Sequence, residues 1–139
     1  VLKSGVDDAQ LAVVDSHESA LLFSRSSARI AIVSADDAEC LSSLKIDVFV
    51  NMSSMQEMTM TAISDYFNLI QNAKAYFYCC NREEKKLPDG TVIRFSEYPW
   101  GSAKFLFNEV CPWMKKTVNL TRPIIRRQEI HRHALVKYS

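Results

Sequence analysis

The run from Asp47 to Met58, DVFVNMSSMQEM, joins an apolar strand to a polar, serine-bearing turn that opens a helix. Ligands of parallel α/β sheets bind in the crevice outside the carboxyl ends of the strands. Asn51, Ser53, Ser54, Gln56 and Glu57 are therefore ligand-side candidates. A carboxylate such as Glu57 can take a proton from a reacting hydroxyl. The same residues also fit a capping box, Ser54-x-x-Glu57, in which the glutamate reaches back to the N-cap backbone. Capping accounts for the serine and the glutamate but not for Asn51, Met55 and Gln56 beside them.

Other chemistry-bearing residues fall at comparable positions. Asp15 closes an apolar run, and its ionised oxygen pair can accept two hydroxyl donors; equally, it can cap the helix that follows. Glu18 is a second acid within reach of that position. Asp36 and Asp37 follow the next apolar run, and Asp37 can cap a short helix with Glu39 in its first turn. Asn81, Arg82 and Glu83 follow a fourth run, where Arg82 can hold an anionic group bidentately. Glu84, Lys85 and Lys86 read as solvent-exposed loop. Tyr98, Trp100 and Trp113 can either stack on a sugar face or pack beneath the sheet. His131 and His133 share one face if their segment is a strand, without an evident third metal ligand.

These residues need a scaffold, and the hydrophobic pattern supplies one. Strand-like runs occupy residues 11–15, 29–34, 46–51 and 75–80, separated by helical patterns over 16–27, from Asp37 to about Leu44, and 54–72. In the last of these, Met60, Ile63, Phe67 and Ile70 share one face. The run 75–80, AYFYCC, is apolar on both faces, as a central strand would be. Alternating strands and helices predict βαβ units with a mostly parallel sheet. Right-handed crossovers place Asp15, Asp36, Asp37, Asn51, Ser53, Ser54 and Asn81 along one sheet edge. Residues 82–90 read as a charged loop with a Pro-Asp-Gly turn. Residues 91–95, 104–110 and 133–138 read as further strands, the last two an antiparallel pair.

The 139 residues suffice for one domain with a real core, and a single domain over 1–139 is expected. With 47% hydrophobic and 24% charged residues, the composition is that of an ordinary globular chain. No apolar run approaches the roughly 20 residues that span a bilayer, and no signal peptide is apparent, so a cytoplasmic location is expected. Cys40, Cys79, Cys80 and Cys111 lack ligand spacing and read as buried free thiols. The net charge is +1, with acids concentrated before residue 65 and bases after residue 104. Because those bases alternate with apolar residues and form no recognition motif, nucleic acid is not the expected partner.

Several blocks in order, NMSSMQEM, AYFYCCNREEKKLPDG, FSEYPW and CPW, resemble the bacterial putative sugar O-methyltransferase family over roughly residues 46–113. That resemblance implies a Rossmann-like methyltransferase sheet, S-adenosylmethionine as cofactor and a sugar or glycoconjugate hydroxyl as acceptor. It implies Glu57 and Gln56 as the catalytic pair. Asp15, at the ribose position, would contact the cofactor along with Asp36, Asp37, Ala38, Asn51, Met52 and Ser53. Ser54, Met55, Asn81, Arg82, Tyr98 and Trp100 would border the acceptor, with no metal. The family's glycine-rich loop has no counterpart, since Gly5, Gly90 and Gly101 form no cluster. With Val1 opening inside an apparent helix end, the first strand and that loop are expected upstream, leaving an N-terminally truncated domain. A non-enzymatic Rossmann-like remnant that binds a partner or anionic ligand through its basic end is the competing expectation.

Overall fold

The computed structural model describes residues 10–114 and 130–139. The chain's opening and the segment 115–129, which carries much of the basic end, lie outside the described residues, as does Gly5. The chain divides into two compact units, Val1–Ile46 and Asp47–Ser139.

The first unit is a βαβ element. Strands β1 (Leu11–Val14) and β2 (Ile30–Val33) pair in parallel, in register Leu11 with Ile30 and Val13 with Ile32. Helix α1 (His17–Arg25) connects them. Its N-cap is Ser16 rather than Asp15: the Ser16 hydroxyl accepts from Ser19 N at 3.2 Å and Ser19 Oγ accepts from Ser16 N at 3.0 Å. This reciprocal pair satisfies two of the amides that a helix start leaves open. Val14, Ala20 and Cys40 form a small core against Phe23, Ala31, Val33 and Leu44. After β2 the chain winds into a 3-10 helix, Ala35–Ser43, capped by Ser34 Oγ accepting from Asp36 N. The short helix expected there is thus present in its tighter form, capped by Ser34, three residues before Asp37.

In the second unit the order is β3-β4-β8-β7, comprising Val48–Met52, Tyr76–Arg82, His131–Lys137 and Lys104–Val110. β3 and β4 run parallel, whereas β4 with β8 and β8 with β7 are antiparallel, with a register shift between Phe105 and Phe107. The expectation of a mostly parallel sheet is therefore corrected to a mixed α/β structure whose sheets are largely antiparallel or mixed. The reason lies in the pairing: β4 is followed by a tight hairpin and then by two strands of alternating sequence, and β8 pairs antiparallel with both β4 and β7.

Helix α2 (Met60–Asn72) begins six residues later than the hydrophobic pattern alone suggests, with Thr59 Oγ1 accepting from Ala62 N at 3.3 Å. Ahead of it, Met55–Glu57 form a separate 3-10 turn. The break lies at Met58 and Thr59, whose extended backbones (ψ 160° and 156°) interrupt the helical series. Ser53, left-handed at φ 59° and donating its N–H to Cys80 O at 2.8 Å, sets the turn that precedes it.

The face of α2 carrying Ile63, Phe67 and Ile70 packs on Phe77, Cys79, Ala134 and Val136 of the sheet. Phe67 meets Phe77 edge-on at 5.4 Å and Trp100 at 5.1 Å between ring centroids. The charged segment after β4 is a hairpin, β5 (Glu84–Lys86) with β6 (Val92–Arg94), rather than a loop. Its turn closes through Gly90 N donating to Leu87 O at 3.0 Å, and Gly90 holds a φ of 93° that L residues rarely adopt. Ile93 on the hairpin and Phe95 beyond it complete the core.

Phe67 is fully buried at the centre of that cluster, so Phe67→Ala should destabilise the protein by about 3–5 kcal/mol. Urea unfolding followed by tryptophan fluorescence would register this as a lower midpoint with an unchanged slope.

Candidate functional site

The carboxyl ends of β3 and β4 are locked together by amide side chains. Asn81 is fully buried near the end of β4. Its Nδ2 donates to Asn51 Oδ1 at 2.8 Å and to Cys79 Sγ at 3.1 Å, while its Oδ1 accepts from Gln56 N at 3.2 Å. Asn51 in turn donates from Nδ2 to Ser54 Oγ and accepts from Met55 N at 3.4 Å. Gln56, only 4% exposed, accepts from Arg82 N at 2.7 Å through Oε1. Four polar residues that the sequence placed on two separate strand ends are thus one connected network.

Glu57 projects from this network. Its Oε1 accepts from Gln56 Nε2 at 3.2 Å and from Lys85 Nζ at 3.0 Å. The side chain remains half exposed. The Lys85 ammonium holds the Glu57 carboxyl below its usual range, with Gln56 adding to the effect and partial burial opposing it. The capping box is not formed: Ser54 makes no side-chain cap bond, and the Glu57 carboxylate turns to Lys85 instead of the Ser54 backbone. What the arrangement offers is an ionised, accessible carboxylate on a rigid turn, suited to accepting a proton.

The remaining candidates distribute as follows. Asn51, Ser53, Ser54, Met55, Gln56, Glu57, Asn81 and Arg82 all belong to the β3–β4 strand ends, with Met52 exposed at the last position of β3. Asp15, Asp36, Asp37 and Ala38 belong to the first unit. Asp15 Oδ1 accepts from Ser19 Oγ at 3.1 Å. Tyr98 and Trp100 are built into the aromatic core, where Trp100 Nε1 donates to Phe95 O at 3.1 Å. Trp113 is 82% exposed. His131 and His133 do share a strand face, both nearly buried on β8. His133 Nδ1 meets Tyr78 Oη at 3.2 Å, and its Nε2 lies 3.3 Å from Glu109 Oε1, near enough to pair but without hydrogen-bond alignment. All four cysteines are free and buried.

Lys85 was missed in the sequence because its charged neighbours read as a solvated loop. The usable signal was Pro88-Asp89-Gly90 between REEKK and TVIR, which marks a hairpin and so gives the two adjacent lysines opposite faces. On the cofactor side the fit to S-adenosylmethionine is incomplete, since residues 10–46 contain acids at the expected strand ends but no glycine. Among the described residues no helix is long and apolar enough to cross a membrane, and no group of three or more side chains could hold a metal ion. Comparison with protein-family models, with curated proteins and with solved structures finds no match to this chain.

Removing a buried partner strands the others. Asn81→Leu should lower stability by about 1–3 kcal/mol and speed amide exchange at Gln56, measured by chemical denaturation and hydrogen exchange. Burial pushes the Cys79 thiol from 9.0 up to about 12, against the opposing hydrogen bond from Asn81. The unfolded chain releases this proton in the ordinary thiol range. The stability contribution is therefore full below about pH 9 and lost as pH rises through about 12. Unfolding midpoints should fall across that window, and Cys79→Ala should flatten the decline.

Proposed function

We propose that this chain is part of an S-adenosylmethionine-dependent O-methyltransferase acting on a sugar or glycoconjugate hydroxyl in the cytoplasm. The observation that carries the reading is the Asn51–Glu57 turn, which is clamped to the end of β4 and presents an ionised carboxylate. That turn is also the centre of the sequence resemblance. Support comes too from the parallel pairs β1–β2 and β3–β4. Neighbouring strands of a doubly wound sheet run parallel, as the strands of each of these pairs do.

S-adenosylmethionine would supply the methyl group. The chain's own part is to orient the acceptor beside Glu57 and to receive the hydroxyl proton there. Asn51 and Gln56 support this by fixing the turn, as their side chains are occupied within the network. Tyr98 and Trp100 support it from beneath, by packing.

Titration calorimetry on the natural protein should show binding of S-adenosylmethionine and of its demethylated product; absence of both overturns the reading. Glu57→Gln should lower methyl transfer by about 10²-fold or more while leaving cofactor affinity unchanged. An unchanged rate would remove Glu57 from the chemistry.

A further inference from the structure

The hairpin β5–β6 treats its two adjacent lysines differently. Lys85 lies opposite Ile93, which is 1% exposed, so its stem runs along the buried side of the hairpin. A lysine placed so covers apolar surface with its methylenes and must bring its ammonium out to water or to an acid. It emerges at Glu57 Oε1, 3.0 Å away. Glu84, on the same strand, takes Arg94 on the other side of the ladder. Gln56 Nε2 donates to the same Glu57 oxygen as Lys85. Among the described residues, Oε2 of Glu57 accepts no hydrogen bond, so the carboxylate is gripped by one oxygen and open at the other.

We propose that Lys85 is a positioning residue, which with Gln56 holds Glu57 by Oε1 and so presents Oε2 to the acceptor hydroxyl. This rests on the function proposed above. In the step concerned the acceptor O–H bond breaks, its electron pair stays on the acceptor oxygen, and the proton passes to Oε2. Lys85 touches neither the acceptor nor the proton; it acts through Glu57. Two donors converging on one carboxylate oxygen restrict rotation about the last side-chain bond, which a half-exposed glutamate would otherwise keep free. The ammonium also keeps the carboxylate ionised, in line with the lowered proton affinity of Glu57, of which Lys85 is the largest cause and the Arg82 charge a smaller one.

The test compares the natural protein with Lys85→Met, which keeps the stem over Ile93, and with Lys85→Arg. Carbon-13 NMR of the Glu57 carboxyl should show its titration moving upward in Lys85→Met and staying low in Lys85→Arg. In methyl-transfer assays the acidic limb of the pH–rate profile should move upward with it. There kcat should fall roughly tenfold with KM for S-adenosylmethionine unchanged, and Lys85→Arg should restore much of the loss. An identical Glu57 titration in wild type and Lys85→Met overturns the proposal. If no variant, nor the wild type, transfers a methyl group, the proposed function fails and Glu57 loses its role as base. The titration still decides independently whether Lys85 holds the carboxylate.

Discussion

A fully buried amide governs the second unit. Asn81 sits where water cannot reach it, and an amide without partners there is strongly unfavourable. Its three bonds draw Asn51 from the parallel neighbour, Cys79 from its own strand and the Gln56 backbone from the intervening turn. Once Asn81 is satisfied, little freedom remains for residues 51–57. Ser53 must adopt its left-handed conformation to let the chain turn back, and Ser53 N then pairs with Cys80 O. The strained residue and the buried amide are two ends of one constraint.

The apolar core lies beneath this network and keeps it stiff. Cys79 and Phe77 alternate with Asn81 along the same face of β4, so the amide continues the row that packs on α2. Phe67 and Trp100 press on that row from the helix and from the segment after the hairpin. The hairpin is anchored by Ile93 in the same core. Its ladder sets where Lys85 emerges relative to Glu57. Site geometry and core packing therefore share the same elements, and a change in the register of β5–β6 would move the Lys85 ammonium from one face to the other.

Most elements were legible because they obey simple periods. The α2 stripe of Ile63, Phe67 and Ile70 is readable from spacing alone, as are the strands at 11–15, 29–34 and 46–51. The polar turn after β3 was legible too, since a polar stretch after an apolar strand is a local signal. The start of α2 was not, because Gln56 is bound to Asn81 and Arg82 of β4, far away in sequence, and no propensity encodes a nonlocal hydrogen bond. The sheet order escaped for a related reason. Alternating strands announce antiparallel pairing at 104–110 and 133–138, but not that β8 inserts between β4 and β7. The roles of Asn81 and Gln56 were legible only as polarity. That their side chains are tied into one network depends on burial, which a single sequence does not display.

For the proposed methyl transfer, the Glu57–Lys85 pair raises a chemical question. A neighbouring ammonium lowers the carboxylate's proton affinity, which makes Glu57 a weaker base. An alcohol in water is far too weak an acid for such a carboxylate to deprotonate in advance. As the alcohol oxygen begins to bond to an electrophile, however, its proton becomes strongly acidic, and even a weak base can accept it. The group needed at that moment must be ionised and correctly aimed rather than strongly basic. Two donors on Oε1 provide the aim, and Lys85 maintains the charge. Under the proposed function, such a site favours late proton transfer to a preformed carboxylate, because the network that orients Glu57 is the same one that weakens it as a base.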